Sequence, residues 1–359
     1  MICPREGEYS KPCELIDGVW IYRHPLPIEG NSVLGYFAEY ACALFWELAY
    51  SMKLALRRRF DIIHACNPPD LIWVIGLIHK ILFGTRFVYD HHDLCPELYA
   101  AKGSVSSFVR RILMWLERRS FRLGDAVIST NESYKEIACA RGGKRKSEVF
   151  VVRSGPDLTR LKPVEPKPAL KNGGRYLVGY VGVIGAQEGI DHLLRAAEHV
   201  IHQRGREDVR FVIVGGGPEL PRLRGLCARM GLDGFVQYTG RIPDEQLLAY
   251  LSTADVCVNP DPCCDLNNLS TMNKIMEYMA VGKPIVQYDL KEGRFSAQEA
   301  SLYARPNDPI DFGDRIIELL DDPSRRARMG EFGRKRVADK LAWHHQVPAL
   351  LEAYESVDR

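Results

Sequence analysis

The sequence predicts an α/β protein made of two doubly wound domains in tandem, and three observations carry this prediction. Short apolar runs typical of buried strands alternate with amphipathic helical segments along nearly the whole chain, which is the pattern of parallel sheets covered by helices. The chain has 359 residues, a length better suited to two cores than to one. Apolar residues make up 46% and charged residues 26%, as in ordinary globular proteins.

Helical segments separate five strand-like apolar runs in the first predicted domain, residues 1–160. The runs cover residues 19–22, 62–65, 86–89, 126–129 and 149–152. Between the later runs lie a basic helical stretch at 105–122 and a helix that Asn131 is positioned to cap. Residues 1–4 resemble the end of a strand, whereas a doubly wound domain ordinarily opens with a complete strand and a glycine-rich turn. We therefore expect this domain to lack its first βα unit.

A second α/β series follows a linker. Residues 161–175 are rich in Pro, Lys and Gly without an apolar period, which is typical of a segment between domains. Residues 176–330 again alternate strand-like and helix-like segments, and we interpret them as the second domain. Residues 331–359 are mostly helical, and we expect this tail to pack back on the N-terminal domain.

Charge and cysteine content exclude several classes of function. The formal net charge is +2, with +4 on residues 1–160 and −2 on the remainder, an asymmetry too small to indicate nucleic acid binding. The ten cysteines form no Cys-x-x-Cys pair, so no zinc site is expected. The N-terminus lacks the pattern of a secretion signal. We therefore expect a cytoplasmic protein with reduced thiols.

The stretch 33–56 needs a test for membrane insertion. Its apolar residues recur on one helical stripe, but charged residues such as Glu47 interrupt every long apolar run. This pattern favours an amphipathic helix that faces the core. Because three arginines follow at 57–59, a helix lying on a membrane surface stays open as the alternative.

Two glycine-bearing turns follow predicted strands in the second domain. Gly215, Gly216 and Gly217 end one strand, and Gly182 to Gly185 end another. Glycines allow close backbone approach, and the N–H groups at a helix start attract phosphate. Because both turns lie at the carboxyl edge of one sheet, they indicate a phosphate-bearing ligand. A tight turn without a ligand is the alternative for each turn taken alone.

The most informative stretch is 267–286, where polar residues precede a predicted helix at 271–281. Ser270 or Thr271 can cap this helix and leave the next N–H groups free for an anion. Lys274 and Glu277 lie three residues apart on one face, where they suit a diphosphate and a ribose respectively. A solvated ion pair between Lys274 and Glu277 is the alternative.

The run Lys-Ile-Met-Glu-Tyr-Met-Ala-Val-Gly-Lys-Pro-Ile-Val, which begins at Lys274, resembles the donor-site signature of glycosyltransferase family 4. Val-Gly-Gly-Gly-Pro-Glu-Leu, Tyr-Thr-Gly-Arg-Ile-Pro-Asp-Glu-Gln-Leu and Ala-Asp-Val-Cys-Val-Asn-Pro agree with it in the same order. The resemblance extends from Asp61 to the C-terminus. It implies the GT-B fold, with two Rossmann-like domains facing a cleft, and a retaining enzyme that uses a nucleotide sugar.

The resemblance also implies roles for individual residues. Glu277 would hold the nucleotide ribose, and Arg241 and Ile242 would lie beside the nucleobase. Catalytic roles near the transferred sugar and the leaving diphosphate fall to His92, Asp93 and Lys274. The remaining predicted donor contacts, several of them through backbone N–H groups, are Gly182, Val183, Gly215, Gly217, Thr271, Met272 and Asn273.

Three residues depart from the family pattern. Leu269 stands where many members carry a first Glu, and Val183 and Glu188 stand where many carry the Arg and Lys that bind the diphosphate. The positive charge of the site is therefore expected to come largely from Lys274, with Arg241 or Arg153 as further sources.

We expect the protein to move a sugar from a nucleotide sugar to a glycan or lipid-linked acceptor with retention. No Asp-x-Asp follows a predicted strand, so no metal and no cofactor are expected. The expected location is cytoplasmic, with peripheral contact at the inner face of the cell membrane. A sugar-nucleotide epimerase and a non-catalytic homologue that acts as a binding partner stay open, whereas a nicotinamide dehydrogenase is disfavoured because Gly-x-Gly-x-x-Gly is missing.

Overall fold

The computed structural model describes residues 1–5, 11–26, 33–101 and 106–358. The chain forms two compact units. The first comprises Met1–Pro96, Val105–Val151 and Ala349–Arg359, and the second comprises Glu97–Ser104 and Val152–Pro348. The sequence-based bounds of the domains and of the linker stay predictions.

The first unit contains a small sheet and a larger parallel one. In the small sheet, ordered β1-β3-β2, β1 pairs with β3 in parallel and β2 pairs with β3 antiparallel. The larger sheet, ordered β4-β5-β6-β7, is parallel throughout. The strands of both sheets and the helices around them are β1 Ile2–Pro4, β2 Cys13–Ile16, β3 Val19–His24, α1 Val33–Ala55, β4 Ile62–Cys66, α2 Trp73–Phe83, β5 Arg86–His91, α3 Cys95–Ala101, α4 Ser107–Leu123, β6 Ala126–Ser129, α5 Glu132–Gly142, β7 Val149–Val151 and α14 Val347–Glu355. Helix α3 continues beyond the bound of this unit at Pro96.

The core of this unit lies on strands β5 and β6, which are buried on both faces. Phe87, Tyr89 and Val127 pack there with Phe121 of α4, as expected of parallel strands covered by helices. Asn131 caps α5 as predicted, since its side chain accepts a hydrogen bond from the Tyr134 N–H at 2.8 Å. The helix predicted at 105–122 begins at Ser107, and residue 105 lies outside the described residues.

The second unit is built on one parallel sheet with six strands. Its elements are β8 Tyr176–Val181, α6 Ile190–Glu198, β9 Val209–Val214, α7 Leu220–Arg229, β10 Val236–Gly240, α8 Asp244–Thr253, β11 Val256–Asn259, α9 Asp265–Leu269, α10 Asn273–Ala280, β12 Ile285–Tyr288, α11 Lys291–Ala297, β13 Ser301–Ala304, α12 Pro309–Asp321 and α13 Pro323–Arg336. The strands are ordered β10-β9-β8-β11-β12-β13. The predicted α/β class with parallel sheets is confirmed in both units.

This strand order locates a ligand crevice. The chain runs from β8 outward to β9 and β10 and then returns to β11 on the other side of β8. The loops that follow β8 and β11 therefore leave the sheet in opposite directions at its carboxyl edge, which is where open α/β sheets bind ligands.

Two further predictions concern the start of the chain and membrane insertion. Residues 2–4 form β1, which agrees with the strand-like pattern predicted there, and the expectation of a missing βα unit stays a prediction. Across the described ranges, the structure contains no helix with the length and apolarity needed to cross a membrane.

Candidate functional site

The glycine turns that follow β8 and β9 pack backbone against backbone. A Cβ atom on Gly215 would lie 1.9 Å from the Gly182 carbonyl oxygen, and one on Gly217 would lie 2.3 Å from that of Ile184. Gly215 also has a φ of +135°, where a side chain is strained. Close packing of the two turns is therefore sufficient to explain these glycines.

Hydrogen bonds between the turns occupy several of their N–H groups. Gly182 N–H donates to Val214 O at 3.1 Å, and Ile184 N–H donates to Gly216 O at 3.0 Å. Gly215 N–H donates to Gly240 O at 3.0 Å, which brings the loop after β10 to the same edge. These donors are already satisfied, so the alternative of a structural turn accounts for them, and a phosphate role for Gly182, Gly215 and Gly217 stays a prediction.

Three predicted donor residues frame this edge. Val183 is 59% exposed, and Arg241 is exposed with its Cγ against the Gly216 turn. Ile242 is half-buried and packs on the cluster of Leu177, Val212 and Val214. The structure therefore brings the loops after β8, β9 and β10 together, as the sequence predicted.

The predicted cap of the next helix is wrong. Helix α10 begins at Asn273, and its N-cap is Met272, which offers no side-chain cap. Ser270 Oγ instead donates to Leu266 O at 2.8 Å, and Thr271 Oγ1 accepts a hydrogen bond from Arg153 Nη1 at 3.3 Å. The short helix α9 ends at Leu269 and separates these residues from α10. The first turn of α10 thus keeps the positive end of its dipole without a capping side chain.

Arg153 is a buried cation beside this turn. Its guanidinium is 6% exposed, lies 3.3 Å from Glu292 Oε2 and stacks 4.1 Å above the Phe295 ring. Its main-chain N–H donates to Gln346 Oε1 at 3.1 Å. Arg153 was predicted from the sequence as a source of positive charge for the site, and the structure places its guanidinium against Thr271, which precedes Met272.

Lys274 lies at the centre of a buried charged triad. Its Nζ is 2.7 Å from Glu188 Oε2 and 2.9 Å from Asp261 Oδ1, and it stands 5.0 Å from the Tyr180 ring centroid. The side chains of Lys274, Glu188 and Asp261 are 10%, 17% and 1% exposed. The triad joins the loop after β8 to the loop after β11 across the crevice.

The charges of this triad stabilise one another. Burial works to lower the pKa of Lys274, but the Asp261 and Glu188 carboxylates outweigh it and raise that pKa above its usual value. Burial raises the pKa of Asp261, although the Lys274 ammonium opposes that rise. Lys274 is therefore a firmly protonated cation whose charge is balanced by two acids rather than left bare.

The alternative of an ion pair between Lys274 and Glu277 is wrong, because the Lys274 ammonium is bound to Glu188 and Asp261. Glu277 is half-buried on α10, and among the described residues its carboxylate has neither a hydrogen-bond donor nor an ion-pair partner. Burial raises its pKa. A desolvated carboxylate with unused acceptors suits a ligand that donates hydrogen bonds.

In the first unit, a second cluster surrounds the carboxylate of Asp90 near the end of β5. Asp90 Oδ2 accepts hydrogen bonds from His64 Nε2 at 2.9 Å and from His92 Nε2 at 3.1 Å. The Tyr354 hydroxyl of α14 lies 2.7 Å from His64 Nδ1. The His92 side chain is 45% exposed, so this cluster is open to solvent.

The Asp90 cluster has a defined protonation pattern. Burial pushes the pKa of Asp90 upward, but the hydrogen bonds from His64 and His92 outweigh burial and lower that pKa to about 2. The hydrogen bond to Asp90 in turn raises the pKa of His92.

Asn67 fixes the loop that carries His92 and Asp93. Its Oδ1 accepts from the His92 N–H at 2.8 Å and from the Asp93 N–H at 3.1 Å, while its Nδ2 donates to Asp93 O at 2.7 Å. Asn67 is 3% exposed. One buried carboxamide thus holds both predicted residues at the end of the strand.

Sequence reasoning assigned no individual role to Asp261, Asp90, His64 or Tyr354. Period-two alternation could have found Asp90, because it lies two residues before His92 at the strand end. His64 stands opposite Val88 on the neighbouring strand. The contact of Tyr354 spans 290 residues, and no local pattern in the sequence marks it.

Comparison with known proteins places the chain in a family. The model of the glycosyl transferase 4-like domain matches residues 1–155, and the model of glycosyl transferases group 1 matches residues 175–322. Alpha-D-kanosaminyltransferase of Streptomyces kanamyceticus is 31% identical over 86% of this chain and 80% of its own length. The 2-deoxystreptamine glucosyltransferase of the same organism is 24% identical over 94% and 88%.

Solved structures confirm the fold. Sucrose-phosphate synthase from Thermosynechococcus elongatus gives a TM-score of 0.81 at 20% identity, over 99% of this chain and 88% of that chain. HepE from Anabaena in complex with UDP gives 0.71 at 18% identity, over 94% and 86%. At these identities the likeness shows the fold alone. The predicted family and GT-B fold are confirmed, and the chain belongs to the group 1 glycosyltransferases with a 4-like N-terminal domain.

Proposed function

We propose that this protein transfers a sugar from a nucleotide sugar to a glycan or lipid-linked acceptor, with retention and without a metal or cofactor. The observation that carries the proposal is the half-buried carboxylate of Glu277, which has no partner among the described residues and stands on the helix that opens the crevice of the second unit. Such a carboxylate would accept hydrogen bonds from the hydroxyls of a ribose. The structure of HepE in complex with UDP-glucose supports a nucleotide sugar as the donor class.

The donor contacts follow from the arrangement at the sheet edge. Glu277 holds the ribose, and Arg241 and Ile242 lie beside the nucleobase. The diphosphate meets the uncapped start of α10, at Thr271, Met272 and Asn273, because helix N-termini attract phosphate. The turns at Gly182, Val183, Gly215 and Gly217 complete the donor contacts by close backbone approach.

Lys274 supports the leaving diphosphate, on which negative charge grows as the glycosidic bond breaks. An ammonium has three N–H donors, and those of Lys274 contact Glu188 Oε2 and both carboxylate oxygens of Asp261. The longest of these contacts, 3.2 Å to Asp261 Oδ2, is the one that a phosphate oxygen would replace, while the carboxylates keep the ammonium charged and in position. Glu188 therefore acts as a positioning residue at a place where many relatives carry a cation.

Retention follows from the resemblance, which implies attack from the face that the diphosphate leaves, with the donor phosphate assisting deprotonation of the acceptor hydroxyl. His92 and Asp93 keep the proposed role of contacting the transferred sugar. Asp90 and Asn67 hold these two residues in position. We further propose that the protein works in the cytoplasm at the inner face of the cell membrane, in peripheral contact with it.

A non-catalytic homologue is the second candidate, and one observation favours it. The charge of Lys274 is balanced by two carboxylates, and Val183 and Glu188 replace the usual cations of the diphosphate site. Such a protein would bind the nucleotide sugar without transferring it. Incubation with donor alone also separates an epimerase, which converts the free donor, from a transferase, which needs an acceptor.

Calorimetric titration of the full chain with a panel of nucleotide sugars tests the proposal. For the best ligand, Glu277→Ala should weaken binding about tenfold or more, because a hydrogen bond to a charged group contributes about 1.5–3 kcal/mol. Glu245→Ala, at an exposed glutamate on α8, is the matched control and should bind normally. Unchanged affinity in Glu277→Ala would sink the assignment of the ribose site.

A further inference from the structure

Helix α4 presents large apolar side chains to solvent. Phe108, Ile112 and Trp115 are 62%, 41% and 48% exposed. Their spacing of four and three residues places them on one face of the helix. The opposite face is fully used, because Leu113 and Phe121 are buried in the core. Solvation of three large apolar residues on one surface helix is unfavourable, so this face is suited to a partner.

Arginines flank these apolar side chains. Arg111, Arg118, Arg119 and Arg122 are exposed on the same helix. Its one acidic residue, Glu117, is fully buried and bound to Arg141 at 3.3 Å. The outward surface of α4 therefore combines apolar bulk with unopposed positive charge from its own residues.

The neighbouring helix extends this surface. The Trp73 ring of α2 meets Trp115 edge-on at 6.2 Å, and Lys80 Nζ lies 3.5 Å from Leu123 O. Ile81 near the end of α2 is 72% exposed and lies on the side of α2 opposite its buried residues Ile75 and His79. We define the α2–α4 face as the exposed residues Ile81, Phe108, Arg111, Ile112, Trp115, Arg118, Arg119 and Arg122.

We propose that the α2–α4 face docks on the surface of an anionic lipid bilayer. Helices that lie in a membrane interface have Trp, Phe or Leu on one side and Arg or Lys beside them, so that the rings enter the headgroup region while the cations meet lipid phosphates. Arginines on a second copy of this chain would repel one another. Nucleic acid would satisfy the arginines but leave the aliphatic side chains in water.

This inference rests on the proposed contact with a membrane and deepens it, because it assigns the contact to α2 and α4 rather than to the 33–56 helix. It does not depend on which sugar is transferred. Binding to vesicles and binding of a nucleotide sugar can therefore be measured separately on the same protein.

Flotation of the full chain with phospholipid vesicles tests the proposal. We expect strong binding to vesicles of phosphatidylcholine with 30% phosphatidylglycerol, weak binding to pure phosphatidylcholine, and a loss of binding as salt screens the charges. Phospholipids with brominated acyl chains should quench tryptophan fluorescence, and Trp115→Phe should remove part of that quenching.

Two double variants and two controls assign the surface. Phe108→Ser with Ile112→Ser and Arg111→Glu with Arg118→Glu should each lower the vesicle partition coefficient about tenfold or more, given the typical contribution of each basic residue near an anionic membrane. The controls carry the same changes at exposed positions elsewhere, Leu351→Ser on α14 and Arg328→Glu on α13, and should bind vesicles normally. Thermal unfolding checks that all four are folded.

Three outcomes would overturn the proposal. They are equal vesicle binding by the double variants and the parent, binding to duplex nucleic acid in place of vesicles, and concentration-dependent dimers that the apolar variant abolishes. Calorimetry without vesicles keeps the proposed function separate. Normal nucleotide-sugar binding with lost vesicle binding supports the docking surface, whereas vesicle binding without nucleotide-sugar binding would count against the proposed function alone.

Discussion

The two units each place a charged cluster at the carboxyl edge of a parallel sheet, and the central groups of the two clusters carry opposite charges. In the first unit, one carboxylate, Asp90, is shared between the imidazoles of His64 and His92. In the second, one ammonium, Lys274, is shared between the carboxylates of Glu188 and Asp261. The same edge therefore carries an anion between two weak bases in one unit and a cation between two acids in the other.

The two clusters differ in how far their side chains are exposed to solvent, and this difference limits their chemistry. Lys274 and Asp261 are 10% and 1% exposed, so their side chains are closed to solvent and the triad connects two loops. His92 is 45% exposed and can exchange a proton with solvent or contact a ligand. A charged cluster at a sheet edge is thus a connector where it is closed and a titrating group where it is open.

The largest expected effect comes from removing the shared cation. Lys274→Met should lower the free energy of unfolding by about 3–5 kcal/mol, because it leaves two buried carboxylates without their partner. Burial already raises the pKa of Asp261, so protonation relieves the repulsion and the loss should be larger at pH 8 than at pH 5. Urea unfolding followed by circular dichroism at both pH values measures it.

A second variant shows whether charge is the cause. Adding Glu188→Gln to Lys274→Met removes one of the stranded carboxylates and should restore part of the stability, mainly at pH 8. If Lys274→Met is as stable as the parent, the triad does not connect the loops. If the double variant recovers nothing, lost packing rather than charge explains the effect.

In the Asp90 cluster, removing the central carboxylate should change the protonation of His92. Asp90→Asn should lower the pKa of His92, because the carboxylate that raises it is gone, and a histidine titration followed by NMR reports that pKa. The pKa of Asp90 is about 2 in the folded protein against an ordinary value of 3.8, so the stability that its carboxylate contributes is present above about pH 4 and is lost as the pH falls toward 2. The parent should lose about 2 kcal/mol more than the variant across that range.

Transfer should also slow in Asp90→Asn. A charge-assisted hydrogen bond contributes about 1.5–3 kcal/mol, which corresponds to roughly ten- to a hundredfold in rate if His92 must be held in place. Asp61→Asn, at an exposed residue before β4, is the matched control. An unchanged pKa of His92 in Asp90→Asn would contradict the assigned hydrogen bond.

These clusters show where prediction from sequence succeeds. The alternation of strand-like and helix-like segments predicted both parallel sheets, the glycine turns predicted two loops at one sheet edge, and the stretch around Lys274 predicted the helix with Glu277, because these are local patterns. The partners of Lys274 were not predictable in the same way, since Glu188 lies 86 residues away. The prediction of a cap at Ser270 or Thr271 was wrong because α9 extends to Leu269 and the next helix begins only at Asn273.

The smallest expected loss of stability comes from removing the Tyr354 hydroxyl. Tyr354→Phe removes the hydroxyl that donates to His64 Nδ1 and should cost about 1 kcal/mol of stability. Tyr250→Phe is the control, because the Tyr250 hydroxyl also makes one exposed hydrogen bond, which it accepts from Gln237, but it belongs to the second unit and has no part in the Asp90 cluster. Unfolding in urea measures both.

The pKa of His92 gives the second readout. Without Tyr354, His64 is held less firmly and competes less for Asp90, so more of the carboxylate's charge acts on His92 and its pKa should rise. This is the opposite of the change in Asp90→Asn. A fall in Tyr354→Phe would mean that the helix merely supports the strand end, whereas a rise shows that α14 acts on His92 through His64 and Asp90.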